Sequence, residues 1–251
     1  MFWNKKLKLP VTEEDKEWVE EGLLMLSNEF GTEHFKSLYT ILPNKEFYDN
    51  DFSGSETDAA FILNQTKIYM DIVDDRFQLE FFSDEPVNMA DGTLLSSPAD
   101  IHGKWNTAAG LYEETEDSTR IHIERSQLKD PEALVATMSH ELAHHILLGE
   151  GRTDVNDEYL TDLVAIVYGF GIFLGNNHFT FTKYSDVKSN GWSISRTGYL
   201  PEQVIAYAMA WLCIYRDEEA VWKNLLNSTM LKYFEQSMEF IKRYPEKIRF
   251  E

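Results

Sequence analysis

Residues 130–149 read Asp130-Pro131-Glu132-Ala133-Leu134-Val135-Ala136-Thr137-Met138-Ser139-His140-Glu141-Leu142-Ala143-His144-His145-Ile146-Leu147-Leu148-Gly149. The stretch carries its own start and stop signals. Asp130 is a good N-cap, because its carboxylate can accept from the first unpaired backbone N–H groups. Pro131 has its φ pre-set for the first helical position, and Glu132 lies in the first turn, where the helix dipole favours an acid. Leu134, Val135, Met138 and Leu142 recur at helical spacing, and Gly149 supplies the stop. A helix from Asp130 to about Leu148 is therefore the element around which the rest of the chain is read.

Upstream of it, Gly110 to Glu114 and Thr119 to Arg125 are short strand-like runs, and Thr115-Glu116-Asp117-Ser118 between them suits a hairpin turn. Phe77 to Phe82 alternates apolar and polar residues and predicts another strand. Glu85 to His102, with two prolines and Ser, Asp and Gly among its residues, reads as a long loop. Thr12 to Phe30 predicts an amphipathic helix with Trp18, Val19, Leu23, Leu26 and Phe30 inward, a capping box from Thr12 and Asp15, and Gly31 as its end. A second helix is expected near Ser55, with Ala59, Ala60, Leu63 and Ile68 as its inner face.

Downstream, Asp154 is expected to cap a helix from Val155 to about Leu174. Asn177 to Ser195 holds Phe179-Thr180-Phe181-Thr182 and Trp192-Ser193-Ile194, a β-hairpin or an irregular excursion. From Pro201 the chain reads as helical almost to its end, with Pro245 closing the last helix, and Tyr207 and Trp211 are expected in the core together with Trp192. No repeat or linker interrupts the chain. The pattern predicts an α+β, helix-rich single domain over 1–251, with a helical N-terminal portion at about 1–75 and a small sheet beside the central helix.

Composition narrows the partners. The chain has 251 residues, 43% hydrophobic and 26% charged, as a globular domain should. Lys plus Arg number 23 against 43 Asp plus Glu, a net charge of −20. Such a field repels phosphate backbones, so nucleic-acid binding is not expected, and Lys5, Lys6 and Lys8 form only a short basic cluster. The single cysteine, Cys213, precludes an internal disulfide and any all-cysteine zinc site, and its apolar surroundings predict a buried, inert thiol. The N-terminal stretch lacks the apolar run of a signal peptide, and the longest apolar stretch, Leu163 to Asn176, is broken by glycines and short for a bilayer. The expectation is a soluble, cytoplasmic protein with no membrane span; the oligomeric state is not legible.

Chemistry concentrates in His140-Glu141-Leu142-Ala143-His144, a match to HExxH. Residues four apart on a helix lie one above the other, so both imidazoles can meet one metal ion, with the Glu141 carboxylate beside it. A tetrahedral catalytic zinc needs a third protein ligand and keeps its fourth position for water. Glu158 stands 158 − 144 = 14 residues beyond His144, in the first turn of the next predicted helix after a glycine-containing loop. Asp162, one helical turn further, can accept the free ring N–H of a ligating histidine and so fix its tautomer. Two carboxylates on a helix of otherwise apolar character are costly unless a cation compensates them. The competing readings are a solvated polar face, or a domain without metal.

His140-Glu141-x-x-His144 followed by Glu158-x-x-x-Asp162 resembles the gluzincin zinc metallopeptidases, the group of thermolysin and the CAAX-prenyl-protease metallopeptidases. The resemblance spans about 45 residues, from the Asp130 helix start to about Leu174. It implies a zincin-like fold with His140, His144 and Glu158 as ligands of one zinc ion per chain, Glu141 as general base, and Asp162 supporting a ligand histidine. The gap before Glu158 is shorter than in thermolysin, and the membrane helices of the prenyl-protease group are not expected, so neither that group's location nor its substrates carry over. Metzincins require a third histidine, and Ile146 to Asp157 contains none; peptide deformylases require an upstream cysteine.

The resemblance also directs attention to Ser118 to Arg125 as an edge strand open to substrate backbone, against the plainer reading of an ordinary sheet strand. Candidates for stabilising an oxyanion are His178, Arg196 and Tyr199. His145, about 100° around the helix from His144, is read as packing or as support for the site. The function expected is a zinc-dependent metallopeptidase-like hydrolase acting on a peptide or protein substrate. The alternative is a zinc-binding regulatory or interaction protein with the same core and no significant proteolysis.

Overall fold

In the computed structural model, which describes residues 7–45, 47–48, 52–74, 76–82, 87–88, 94–95, 110–114, 118–177 and 200–251, the Asp130 carboxylate accepts from the backbone N–H groups of Glu132 and Ala133. That cap opens helix α4, Pro131–His144. Every residue of α4 from Ala133 onward is buried, as expected of a central helix rather than a surface one. Its interior hydroxyls find local acceptors: Thr137 donates to the Ala133 carbonyl and to Gln127, and Ser139 donates to the Ala136 carbonyl. The helical path continues to Gly149, but His145–Gly149 is wound as a π turn, with Glu150 N–H reaching back to the His145 carbonyl.

The described residues are an α+β, helix-rich chain with a small sheet, as predicted. They group into two units: one within Met1–Pro43, Glu158–His178 and Tyr199–Glu251, the other within Asn44–Asp157 and Phe179–Gly198.

In the second unit, α4 packs against helix α3, Glu56–Tyr69, and against a three-stranded mixed sheet. The sheet comprises β1 (Phe77–Phe82), β4 (Gly110–Glu114) and β5 (Thr119–Glu124), in the order β1-β5-β4. Two residues each from β2 (Val87–Asn88) and β3 (Leu94–Leu95) form a separate ribbon inside the expected long loop. The hairpin is antiparallel, with Glu114 opposite Thr119, and β1 runs parallel to β5, with Phe77 opposite Thr119.

Of the two readings of Ser118 to Arg125, the edge strand fails and the ordinary sheet strand holds. β5 is the middle strand, paired on both edges, and so is closed to substrate backbone. Ile121 and Ile123 on β5 are fully buried, and His122 and Glu124 are buried as well, His122 between the side chains of Glu80 and Glu113 on the neighbouring strands. The outer strands of this sheet are β1 and β4.

Helix α3 begins at the expected Ser55, which forms a capping box with Asp58. Its buried face is Ala59, Ile62, Leu63 and Thr66, an i, i+3, i+4, i+7 stripe, whereas Ala60 and Ile68 are exposed. Thr66 can be buried because its hydroxyl donates to the Ile62 carbonyl.

In the first unit, α1 (Glu13–Phe30) carries the predicted Thr12–Asp15 capping box and ends at Gly31, after which a short α2 (Thr32–Ser37) follows. Helix α5, Glu158–Asn177, starts later than the expected Val155. The Thr153 hydroxyl accepts the Val155 N–H, a local turn that satisfies backbone which a helix would otherwise use. The glycines do not break α5. A π turn at Ile166–Phe170 and a kink at Gly169 absorb the irregularity. Gly169 has φ +98°, its carbonyl accepts the Ile41 N–H, and a Cβ there would stand 2.2 Å from the Tyr39 carbonyl oxygen. By length and composition alone α5 can cross a membrane, which the shorter Leu163 to Asn176 run did not suggest; 83% of its apolar stretch is buried inside the protein.

The C-terminal region is helical almost to its end, as expected, in two helices, α6 (Glu202–Tyr215) and α7 (Ser228–Arg243), the second ending just before Pro245. Asp217, at φ +53°, turns the chain after α6, and the Asn227 side chain caps α7. Tyr207 and Trp211 are fully buried, as expected. Glu20, on α1, gathers Lys16 Nζ at 3.1 Å, Tyr207 Oη at 2.5 Å and the Arg249 N–H at 3.2 Å. Arg216 donates to the Phe35 and Val167 carbonyls, and burial draws its pKa down to about 10.

Candidate metal centre

Helix α4 sets both predicted histidines on one face, and the four-residue spacing brings their rings together. His140 is 2% exposed and His144 7%. Their Nε2 atoms stand 3.1 Å apart with the rings edge to face. Two imidazole nitrogens each about 2.05 Å from one tetrahedral zinc ion stand about 3.3 Å apart, so the observed spacing suits a shared ion. The ligand atoms of His140, His144 and Glu158 all lie within 4.8 Å of one another, the one such group among the described residues. Two histidines and a carboxylate, both histidines buried, are the nitrogen and oxygen donors that zinc accepts.

Glu141 follows His140 on the helix and is 3% exposed. Its carboxylate is housed by a feature not singled out in the sequence: β4 begins with Gly110, and a Cβ built there would meet Glu141 Oε1 at 2.8 Å and Thr137 Cγ2 at 2.6 Å. A glycine at a strand position can mark a bulge, a bend or the close approach of another segment, and here the approaching segment is α4. Two residues further along β4, the Tyr112 ring lies nearly parallel to that of His144, centroids 6.4 Å apart, and its Oη is 3.2 Å from His145 Nδ1. His145 also meets the Phe77 ring edge to face at 4.9 Å. It therefore packs against the sheet beside the histidine pair.

Asp162 is buried in α5, and its Oδ2 accepts the Leu200 N–H at 2.7 Å. That bond fastens the start of the C-terminal region to α5, a task the sequence did not suggest. His178, Arg196 and Tyr199 lie outside the described residues, as do Phe179 to Thr182 and Trp192 to Ile194.

No protein-family model, curated protein or solved structure matches the chain. The reading of the centre accordingly rests on its own geometry.

The polar face of the sheet holds a different constellation. His122 lies between Glu80 on β1, 3.5 Å from Nδ1, and Glu113 on β4, 3.2 Å from Nε2, while Arg120 reaches the same two carboxylates at 3.6 and 3.4 Å. These cross-strand pairs tie three strands together electrostatically. Asp74 beside β1 is engaged by the Arg76 guanidinium, which holds its carboxyl down at about 2.

Proposed function

We propose that this chain is a zinc-dependent, peptidase-like hydrolase, with the ion held by His140, His144 and Glu158 and with Glu141 as general base. The observation that carries the reading is the 3.1 Å approach of two buried imidazole nitrogens on one helix, with a buried carboxylate at the intervening motif position. A zinc ion supplies, when bound, Lewis acidity that polarises a carbonyl and brings the pKa of water toward neutrality.

The protein's own groups do the rest. His140 and His144, each contributing Nε2, must be neutral to ligate. Glu141 accepts the proton of the attacking water at a carboxylate oxygen and returns it to the departing amine nitrogen. Burial keeps that carboxylate from exchanging its proton with bulk solvent. Asp162, in the same reading, supports a ligand histidine with the carboxylate that also holds Leu200.

The substrate class proposed is a peptide or protein, because amide hydrolysis uses a base that can deliver its proton to an amine. The test is metal analysis of the purified chain together with turnover of a quenched peptide library, with and without chelator. Stoichiometric zinc and chelator-sensitive cleavage are expected. Metal-free protein that does not take up zinc would remove the reading, whereas stable zinc without cleavage would move it to a regulatory or interaction role.

A further inference from the structure

We propose that Gly110 is a positioning residue for the Glu141 carboxylate: the space left by its missing Cβ fixes where the proposed base lies. The inference rests on the hydrolase reading for its kinetic consequence, but its geometric content stands within one sheet and one helix.

β4 and α4 run in step at this point. Gly110 lies against Thr137 and Glu141, and Tyr112 lies against His144 and His145. Two strand residues advance about 6.6 Å and four helix residues about 6.0 Å, so the two elements stay in phase across the motif. Tyr112 sits where a large side chain is accommodated. Gly110 sits where none fits, because the nearest atoms to a Cβ are Thr137 Cγ2 at 2.6 Å, Glu141 Oε1 at 2.8 Å and Glu141 Cγ at 3.1 Å. The register holding Gly110 there is set by its pairing opposite Ile123, which is fully buried. Strand β4 cannot slip by one residue without turning Tyr112 away from the helix.

A methyl group at residue 110 therefore has two neighbours to displace, a threonine methyl and the carboxylate of Glu141. Moving the carboxylate by about an ångström misaligns proton transfer and can cost about 10²-fold in rate. Moving only the threonine methyl disturbs packing and leaves the base where it was. The two outcomes can be separated, because Thr137→Ser removes Cγ2 while keeping the hydroxyl that donates to Gln127 and Ala133.

The experiment compares wild type, G110A, T137S and G110A/T137S in zinc-loaded form, reading thermal midpoint, zinc affinity by chelator competition, kcat and KM separately, and crystal structures of the folded variants. Expected for G110A is a shifted Glu141 side chain in the crystal, unchanged zinc affinity, and a kcat lower by about 10²-fold with KM little changed. T137S should leave kcat near wild type. The double variant should recover thermal stability but not kcat, and it carries the test where G110A alone does not fold. Recovery of kcat in the double variant, or an unmoved Glu141 carboxylate, would overturn the proposal. If wild type holds zinc and cleaves nothing, the hydrolase reading fails by itself, and the crystal position of Glu141 in the variants still decides the role of Gly110.

Discussion

His140 Nε2 and His144 Nε2 face each other at 3.1 Å on one side of α4. Two neutral imidazoles so placed can share a proton, or both can direct lone pairs at a common cation. Zinc that binds the folded chain alone stabilises it by about 4 kcal/mol at a free concentration one thousand times its dissociation constant. Wild type should therefore gain thermal stability as zinc is titrated, and H140A and H144A should each lose that gain. Equal zinc responses in all three, by differential scanning fluorimetry, would show that the ion goes elsewhere.

Glu141→Gln keeps the volume and buried position of the side chain but removes its capacity to take a proton. Zinc content should stay at the wild-type level, and peptide turnover should fall by about 10³-fold or more, since a positioned base contributes about 10²–10⁴-fold. The decisive pair of measurements is metal analysis and kcat on one preparation. Turnover near wild type would eliminate the carboxylate as the base.

Elements with short-range signals were legible from the chain. Asp130-Pro131, Thr12 with Asp15, and the alternation of Phe77 to Phe82 each act over a few residues, and the corresponding elements begin where those residues stand. What escaped depends on partners distant in sequence. β5 is central because β1 joins it from some forty residues upstream, and nothing local to Thr119–Glu124 says so. Ala60 and Ile62 lie about 200° apart around α3, and packing against α4 buries the side that carries Ile62. The late start of α5 follows from a Thr153 turn that competes with the Asp154 cap. At the centre, both histidines and the glutamates were readable from spacing, whereas Gly110 gains its meaning only once β4 lies on α4.

Gly169 tests the kink in α5. An alanine there must adopt φ near +98° and must place a Cβ 2.2 Å from the Tyr39 carbonyl oxygen. The backbone strain alone costs about 1–3 kcal/mol, before the clash is relieved. G169A should lower the urea midpoint markedly without changing the slope, and a midpoint equal to wild type would mean that the kink is not required.

Tyr207 donates its hydroxyl to Glu20 Oε1 at 2.5 Å, in a buried group that also includes Lys16 and the Arg249 N–H. Burial and the neighbouring carboxylates push the phenol far up, so it remains a donor at every accessible pH. Removing the hydroxyl leaves a buried carboxylate oxygen short of one partner, which costs about 1–3 kcal/mol. Equilibrium denaturation of Y207F should show that loss; an unchanged free energy of unfolding would mean that Lys16 and Arg249 satisfy Glu20 without it.

Cys213 offers a pH-dependent test of burial in α6. Desolvation, aided by Glu218 and opposed by Arg216 and Lys242, pushes its thiol up to about 12. The folded state thus holds this proton more tightly than the unfolded chain, whose thiol titrates at about 8.5. The resulting stability is fully present below about pH 8.5 and is lost as pH rises toward 12. At pH 8 the native thiol should react with a disulfide reagent at least about 10²-fold more slowly than in denaturant, because the thiolate is the nucleophile. Equal rates in native and denaturing buffer would show that the thiol is open to solvent and that α6 does not bury it.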